Sequence, residues 1–268
     1  MIKMIALDLD GTLLNSQKQI SPRTITTLHR LQQQGLKIVL CTGRAINAIS
    51  DYLQQLNLMQ AGEFVSTFNG ALVRATMQKT PLLQINLAKS TMQPLFTFAQ
   101  QVKWPVDVLD FEQVYHITDF GASLYQAMNP NLKVVATTAT QLPEQHDYSK
   151  LVIATEPEQI NQAVPRLPEE LKAEFNVASS RTNLLEFVPK TVTKANALDV
   201  LLAHLGWDRS NLMAFGDQAN DLSMIAAANV GVAMANAIPA VKAVAGQTTL
   251  TNDQDGVAVF LDDYFQLN

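Results

Sequence analysis

Short apolar runs alternate with helix-spaced apolar positions in the N-terminal part of the chain. Residues 2–7 and 36–41 are mostly apolar runs, as expected for strands that are buried on both faces of a parallel sheet. Between them, Ser21 followed by Pro22 is typical of a helix start, because the hydroxyl can cap a helix whose first position is proline. Gly35 then provides a C-terminal stop. This order predicts a βαβ unit.

The same alternation continues to Asn69-Gly70 and returns after Lys194. Apolar residues at helical spacing predict a second helix over 46–56 and another over 197–205. Asn69-Gly70 is interpreted as a turn pair that closes the third predicted strand. The strands predicted by this alternation lie at 2–7, 36–41, 64–68, 212–215 and 230–234.

The middle segment of the chain has a different pattern. Its apolar and polar residues alternate, as at 106–108 and 113–117, which predicts less buried, antiparallel strands with helices between them. The simplest architecture is therefore α/β. A Rossmann-like core with a parallel sheet is made from residues 1–83 and 186–268, and a second α/β domain is inserted over 84–185.

Composition and charge narrow the class of protein. With 47% hydrophobic and 16% charged residues among 268, the chain can bury a sizeable core and is not expected to be disordered. The formal net charge is −5 and the 19 Lys and Arg residues form no basic run, which argues against nucleic acid and anionic membranes as partners. A single cysteine, Cys41, excludes an intramolecular disulfide. With no secretory signal or transmembrane run evident, we expect a cytoplasmic protein.

Two carboxylates follow the first predicted strand, in the string Asp8-Leu9-Asp10-Gly11-Thr12. Ligands of an open parallel sheet bind just beyond the carboxyl ends of its strands. Two carboxylates held close there repel one another, and Mg²⁺, a hard cation that also bridges to phosphate, relieves that repulsion. An acidic turn is the alternative, since Asp-Gly is common in loops.

The string Asp8-x-Asp10-Gly-Thr resembles the first motif of the haloacid dehalogenase (HAD) superfamily. The second motif of that superfamily is similar to Thr42-Gly43-Arg44, at the end of the second predicted strand. The resemblance implies that the Thr42 hydroxyl and the Gly43 amide hold phosphate oxygens. It also implies a bidentate contact from Arg44 to phosphate or substrate. Taken alone, Thr-Gly is also a plain turn.

The third motif of the superfamily is a lysine, and Lys194 at the start of a predicted helix matches it. A cation at a helix N-terminus opposes the helix dipole, so helix stability does not explain its position. The resemblance implies that Lys194 neutralises the charge of Asp8 and of the phosphate. Lys190 lies close by in the sequence and is the competing assignment, and a solvated surface lysine is the other.

The fourth motif, Gly-Asp-x-x-Asn-Asp, is matched completely by residues 216–221. The resemblance implies that Asp217 completes a Mg²⁺ shell and that Asn220 donates to the phosphate. It further implies that Asp221 orients Lys194 or a metal-bound water. The implied metal ligands are Asp8, Asp217 and Asp10, the last through its main-chain carbonyl. An Asp-capped helix N-terminus is the alternative, and it would explain one aspartate but not the whole string.

Further similarities point to the Cof-type subgroup, whose members are called sugar phosphatases or Cof-like hydrolases. They lie at Asn69-Gly70, residues 186–189, Asn236-Ala237 and residues 255–257. In that subgroup a large α/β cap is inserted between the third core strand and the lysine motif, which matches the inserted domain inferred above. The implied partner is a small phosphorylated metabolite such as a sugar phosphate. Ala195 is a departure, since relatives often have glycine there.

The resemblance also implies a mechanism. Asp8 attacks phosphorus and forms an aspartyl-phosphate, which water hydrolyses, while Asp10 acts as general acid and then as general base. Mg²⁺, Lys194, Thr42 and the Gly43 amide stabilise the transferring phosphoryl group. A phosphotransferase or phosphomutase would share every motif, and a non-enzymatic phosphorylatable module would share an aspartate cluster. Release of free inorganic phosphate distinguishes a phosphatase from both.

Other residue types add little to the candidate site. Cys41 lies inside a predicted strand, where a buried thiol is inert, and the four histidines show no metal-ligand spacing. Four aromatic residues of the inserted domain are candidates either for a substrate pocket or for the domain's core: Trp104, Tyr115, Phe120 and Tyr125.

Overall fold

The structure is a computed structural model that describes residues 1–130 and 132–267. Its strands are β1 (Met4–Leu7), β2 (Lys37–Cys41), β3 (Phe64–Thr67), β4 (Leu72–Ala75), β5 (Leu83–Gln84), β6 (Val106–Asp110), β7 (Val114–Ile117), β8 (Val134–Thr137), β9 (Tyr148–Ala154), β10 (Phe175–Arg181), β11 (Leu184–Pro189), β12 (Leu212–Gly216), β13 (Val230–Ala233) and β14 (Gln247–Thr248). Its α-helices are α1 (Pro22–Gln33), α2 (Ser50–Gln55), α3 (Lys89–Val102), α4 (Tyr125–Met128), α5 (Pro157–Ala163), α6 (Glu169–Glu174), α7 (Lys194–His204), α8 (Leu222–Ala227), α9 (Pro239–Val244) and α10 (Gly256–Phe265).

The chain divides into two compact units. The first consists of Met1–Gln84 together with the chain from Thr193 onward, and the second is Ile85–Val192. Among the described residues, no helix combines the length and the apolar character that crossing a membrane requires.

The first unit is built on an eight-stranded sheet in the order β14-β13-β12-β1-β2-β3-β4-β5. The strands from β14 to β3 pair in parallel, whereas β4 and β5 are antiparallel additions at one edge. All four residues of β1 are buried, as expected for a central strand of a parallel sheet that is covered on both faces. The predicted α/β class with a parallel-sheet core is confirmed.

Local sequence explains where the helices beside this sheet begin. The Ser21 hydroxyl accepts a hydrogen bond from the Thr24 amide, and Pro22 occupies the first turn of α1, which confirms the predicted helix start. Leu28 and Leu31 then pack into the core. The helix predicted over 46–56 is shorter, because a single 3₁₀ turn precedes α2.

The parallel register brings the ends of three strands to the same edge of the sheet. Leu7, the last residue of β1, lies opposite Leu40 of β2 and Phe215 of β12. Because parallel strands share one direction, the residues that follow each of them emerge at the same edge. The first, second and fourth motifs therefore meet there.

The second unit has a six-stranded sheet in the order β10-β11-β9-β6-β7-β8. Its strands pair antiparallel except for β7 and β8, so the predicted antiparallel strands are confirmed. The prediction that these strands are less buried is wrong for β6, whose residues are all buried. One face of the sheet packs against helices such as α3, while side chains including Tyr125 pack on the other, so both faces are covered.

The end of the second unit differs from the sequence-based boundary. The structure places it at Val192 rather than at residue 185, because β11 pairs with both β9 and β10 and completes their sheet. The four aromatic residues considered for a substrate pocket are packed within this unit. Trp104, Tyr115 and Tyr125 are buried and Phe120 packs on Phe96, so they contribute to the unit's apolar clusters.

A buried ion pair lies within the sheet of the second unit. The Lys150 ammonium donates a hydrogen bond to the Glu186 carboxylate, and both side chains are almost inaccessible to solvent. The pair joins neighbouring strands, β9 and β11. Breaking a buried pair is more damaging than replacing it, because the remaining charge has no counterion.

We expect Lys150→Met to lower the free energy of unfolding by roughly 3–5 kcal/mol, since the Glu186 carboxylate is left buried without its cation. The double variant Lys150→Met/Glu186→Leu should recover most of the loss. Urea unfolding followed by the fluorescence of Trp104, with Trp207 replaced by Phe, measures this within the second unit. A single variant as stable as the parent, or a double variant no better than the single one, would contradict this expectation.

Candidate active site

Asp8 lies at the carboxyl end of β1, at the edge where the motifs meet. Its amide donates to the Phe215 carbonyl at 3.2 Å, which fixes it beside β12. Its side chain is 8% exposed, and its Oδ1 atom accepts a hydrogen bond from Lys194 Nζ at 2.5 Å. The carboxylate is therefore held in place by a charged partner from a distant part of the chain.

Lys194 is the first residue of α7 and is completely buried. Its Nζ atom also donates to Asp221 Oδ1 at 2.6 Å, so one ammonium bridges two carboxylates. Burial alone would lower the pKa of Lys194, but the charges of Asp221 and Asp8 outweigh burial and raise it. The competing candidate, Lys190, is exposed and donates to the Lys172 carbonyl instead.

Asp221 shapes the loop that follows β12. Its Oδ2 atom accepts the amide hydrogens of Asp217 and Gln218, each at 2.9 Å, while Oδ1 accepts from Lys194. Gly216 makes this close approach feasible, since a Cβ atom there would lie 2.5 Å from Cβ of Asp221. Asp221 thus joins the loop to the lysine.

Three carboxylates form a buried cluster at this edge. Asp8, Asp217 and Asp221 each offer an oxygen, and these oxygens lie within 4.8 Å of one another. Burial, reinforced by the charge of Asp221, raises the pKa of Asp8 well above its usual value and that of Asp217 to about 6. A cluster of oxygen donors with excess negative charge fits a hard divalent cation such as Mg²⁺.

The cluster shares two members with the predicted metal ligands. Asp8 and Asp217 come together as expected, and Thr12 Oγ1 donates to Asp217 Oδ1 at 2.8 Å. Gly11 lies in the left-handed region, with φ +87°, and a Cβ atom there would lie 2.4 Å from Asp217 Oδ2. The Asp10 carboxylate does not join the cluster, and the metal contact implied for Asp10 is through its main-chain carbonyl instead.

Asp10 is paired with two cations instead. Arg44 holds it with a two-pronged contact, Nε to Oδ2 at 2.8 Å and Nη2 to Oδ1 at 2.6 Å, and Lys18 Nζ donates to Oδ1 at 2.8 Å. Burial raises the pKa of Asp10, but the hydrogen bonds from Arg44 and Lys18 outweigh it and hold the pKa below its usual value. Sequence reasoning missed Lys18, since it reaches Asp10 only through the turn between Asn15 and Lys18.

Thr42 and Asn220 lie on the loops after β2 and β12. Thr42 is buried, its amide donates to the Ser66 carbonyl, and its Oγ1 atom accepts from the Arg44 amide at 3.1 Å. Asn220 donates through Nδ2 to Asn69 Oδ1 at 3.0 Å. From the sequence, Asn69 is part of a turn and of a string that resembles the Cof-type subgroup, with no role in the site; the structure places its side chain in contact with the motif residue Asn220.

Cys41 and the histidines lie outside the carboxylate cluster. Cys41 is fully buried, and burial raises the pKa of its thiol to about 12, which keeps it protonated. His116 pairs with Asp107 and His146 with Asp110, all in the second unit. His29 contacts Asn57, and His204 packs edge-on against Phe64, within the part of the chain that is described.

Known proteins of similar sequence and structure align with nearly the whole chain. A family model described as haloacid dehalogenase-like hydrolase matches residues 5–261. YxeH of Bacillus subtilis, to which a phosphatase activity is ascribed, is 32% identical over 96% of this chain and 96% of its own. The 5-amino-6-(5-phospho-D-ribitylamino)uracil phosphatase YitU of the same organism is 32% identical over 98% of each chain. Among solved structures, a haloacid dehalogenase-like hydrolase from Bacteroides thetaiotaomicron is 33% identical, with a TM-score of 0.83 over 99% of this chain and 100% of its own.

The raised pKa of Asp217 has a consequence for the metal-free protein. Because the folded state holds this proton more tightly than the unfolded state, the resulting stability is present below pH about 4 and is lost as the pH rises through about 6. Asp217→Asn should therefore raise the free energy of unfolding of the metal-free protein at about pH 7.5 by about 1–3 kcal/mol. It should also abolish stabilisation by Mg²⁺.

Thermal unfolding in EDTA and in excess MgCl₂ measures both effects. Asp199→Asn is the matched control, because Asp199 forms an exposed pair with Arg209 away from the cluster. Undiminished stabilisation of Asp217→Asn by Mg²⁺ would exclude Asp217 as a ligand.

Proposed function

The chain belongs to the haloacid dehalogenase-like hydrolases, in their Cof-type subgroup, and is a phosphoric monoester hydrolase; we propose that it hydrolyses a small phosphorylated metabolite through an aspartyl-phosphate on Asp8, with Mg²⁺ at the carboxylate cluster. The observation that carries this proposal is the contact of Asp8 with the buried ammonium of Lys194. A carboxylate that is fixed and neutralised by a buried cation is suited to attack a phosphate dianion, which an isolated carboxylate would repel.

In the first step Asp8 attacks phosphorus in line with the leaving oxygen. A bond forms between a carboxylate oxygen and phosphorus, and the bond from phosphorus to the leaving oxygen breaks. Since Oδ1 is held by Lys194, we assign the attack to Oδ2. In the second step water attacks phosphorus, which releases inorganic phosphate and restores the carboxylate. Bound at Asp8 and Asp217, Mg²⁺ would supply neutralisation of the charge on the transferring group.

Asp10 is assigned as the general acid of the first step and the general base of the second. It protonates the departing alkoxide and then takes a proton from the attacking water. In the structure it is paired with Arg44 and Lys18, which favour its ionised form. A guanidinium fits phosphate as well as carboxylate. We propose that Arg44 moves from Asp10 to the bound substrate, which frees Asp10 to carry a proton.

The loops after β2 and β12 are assigned to phosphate binding. Thr42 can donate its hydroxyl hydrogen to a phosphate oxygen, because its contact with Arg44 uses Oγ1 only as an acceptor. The Gly43 amide and the Asn220 carboxamide are the other assigned groups. All of them lie beyond the carboxyl ends of the two strands that flank β1, where an open parallel sheet binds its ligands.

One relative supports the choice of substrate class. YitU is named for a substrate whose phosphate is carried by a ribityl chain. Since the two proteins are 32% identical over 98% of both chains, we propose that phosphorylated sugars and sugar alcohols are the substrates to test first.

We expect Mg²⁺-dependent release of inorganic phosphate from at least one compound of a sugar-phosphate and polyol-phosphate panel. Asp8→Asn should lower the rate by at least about 1,000-fold while the circular dichroism spectrum is kept, since the nucleophile is lost but its shape is not. The matched control, Asp199→Asn, should retain wild-type turnover. Substantial activity in folded Asp8→Asn would refute the nucleophile assignment, and transfer of phosphate to an acceptor without release would favour a phosphotransferase.

Asp10→Asn tests the general acid and base. With 4-nitrophenyl phosphate, whose leaving group departs without protonation, we expect the first step to persist and the second to fall by about 10²–10⁴-fold. Nitrophenol should then appear in one burst, and intact-mass measurement should show one phosphoryl group on the protein. Steady wild-type turnover in this variant would exclude the role of Asp10.

A further inference from the structure

The segment Phe68-Asn69-Gly70, after β3, has an unusual backbone. All three residues have positive φ, at 52°, 59° and 101°. This conformation is unfavourable for an ordinary L-residue, and asparagine tolerates it better than most. Asn69 is also only 6% exposed. Such a backbone persists only where surrounding contacts impose it, and strained conformations of this kind cluster at functional sites.

The backbone of this segment contacts the loop after β2. The Asn69 amide donates to the Thr42 carbonyl at 3.0 Å, and the Phe68 amide donates to the Arg44 carbonyl at 3.3 Å. Gly43 packs directly on the Asn69 side chain, since a Cβ atom on Gly43 would lie 2.9 Å from Asn69 Oδ1. Asn69 therefore contacts the Thr42-Gly43 peptide through both its backbone amide and its side chain.

The Asn69 side chain contacts the loop after β12. Its Oδ1 atom accepts a hydrogen bond from Asn220 Nδ2 at 3.0 Å, which determines how the Asn220 carboxamide is rotated. An amide nitrogen carries two hydrogens, and this bond uses one of them. The second hydrogen remains for an oxyanion, so the bond orients the Asn220 donor.

The next residue contacts the start of α7. A Cβ atom on Gly70 would lie 2.4 Å from the Thr193 carbonyl oxygen, so only glycine fits at this approach. Thr193 caps α7, and Lys194 follows it directly. The left-handed segment thus contacts the loops that carry the second, third and fourth motifs.

We propose that Asn69 is a positioning residue of the phosphate site, which acts mainly through the Asn220 carboxamide and also packs against the Thr42-Gly43 peptide. This inference rests on the proposed function, because it takes the ligand at this edge to be a phosphate group. Donors that are fixed before the ligand arrives bind and stabilise it better than donors that must be ordered on binding. Without the Asn69 carboxamide, Asn220 loses its orientation although it keeps its own hydrogen-bonding groups.

Asn69→Gly tests the side chain separately from the backbone, because it removes the carboxamide while glycine still adopts positive φ freely. The expected result is phosphate binding weakened by about 10- to 100-fold, the range for loss of one oriented hydrogen bond to a charged group. Asn57→Gly is the matched control. Asn57 is also a left-handed asparagine, with φ 54°, but it is exposed and contacts His29. It should bind phosphate as the wild type does.

The measurement is a thermal-shift titration with inorganic phosphate in the presence of Mg²⁺, together with KM and kcat on the best substrate. A double-mutant cycle then tests the route of action. If Asn69 acts mainly through Asn220, Asn69→Gly/Asn220→Ala should bind phosphate about as weakly as Asn220→Ala alone. A general structural defect would instead multiply the two losses.

The outcomes separate this inference from the proposed function. Wild-type phosphate affinity in Asn69→Gly, fully multiplicative losses in the cycle, or no phosphate binding by the wild-type protein would each overturn the positioning role. Phosphate binding that weakens in Asn69→Gly, in a wild-type protein that releases no phosphate from any substrate, would support the positioning role and reject the hydrolase proposal. A wild-type enzyme that releases phosphate, together with an Asn69→Gly variant that binds phosphate as tightly as the wild type, would support the hydrolase proposal and reject the positioning role.

Discussion

The ammonium of Lys194, completely buried between two carboxylates, is the interaction on which the candidate site depends. It lies 2.5 Å from Asp8 and 2.6 Å from Asp221. Neither the buried ammonium nor the buried carboxylates are stable as ions without the opposite charge beside them. Through Asp8 it holds the end of β1, and through Asp221 it holds the loop after β12. Because Asp8 and Lys194 are 186 positions apart, the contact also joins the two parts of the chain that form the first unit.

The charged residues of the site form two sets, and the pKa values of the carboxylates are shifted in opposite directions in the two sets. In the cluster, three carboxylates share one lysine, and burial raises the pKa of Asp8 and Asp217. Beside it, Arg44 and Lys18 lower the pKa of Asp10. These directions are the reverse of those that a nucleophile and a general acid need. Mg²⁺ bound at the cluster would add positive charge and lower the pKa of Asp8. A phosphate bound beside Arg44 would add negative charge and raise the pKa of Asp10.

Much of the fold followed from local patterns, and the exceptions have a common physical cause. The start of α1 and the order of the core strands depend on adjacent residues, namely a cap, a proline and short apolar runs. The burial of β6 and the end of the second unit depend instead on which segments pack against them. Alternation along β6 indicates two different faces, but it does not reveal that both faces are covered.

For the site, the sequence by itself determined which residues come together at the edge of the sheet. The ends of parallel strands must meet, so Asp8, Thr42 and Asp217 were predictable from their positions after apolar runs. Only the tertiary structure decided which side chains pair there. Asp10 faces Arg44 and Lys18 rather than the cluster, and Asn69 lies against two motif loops. Such pairings depend on loop paths and rotamers, which are fixed by packing between segments far apart in sequence and leave no local pattern.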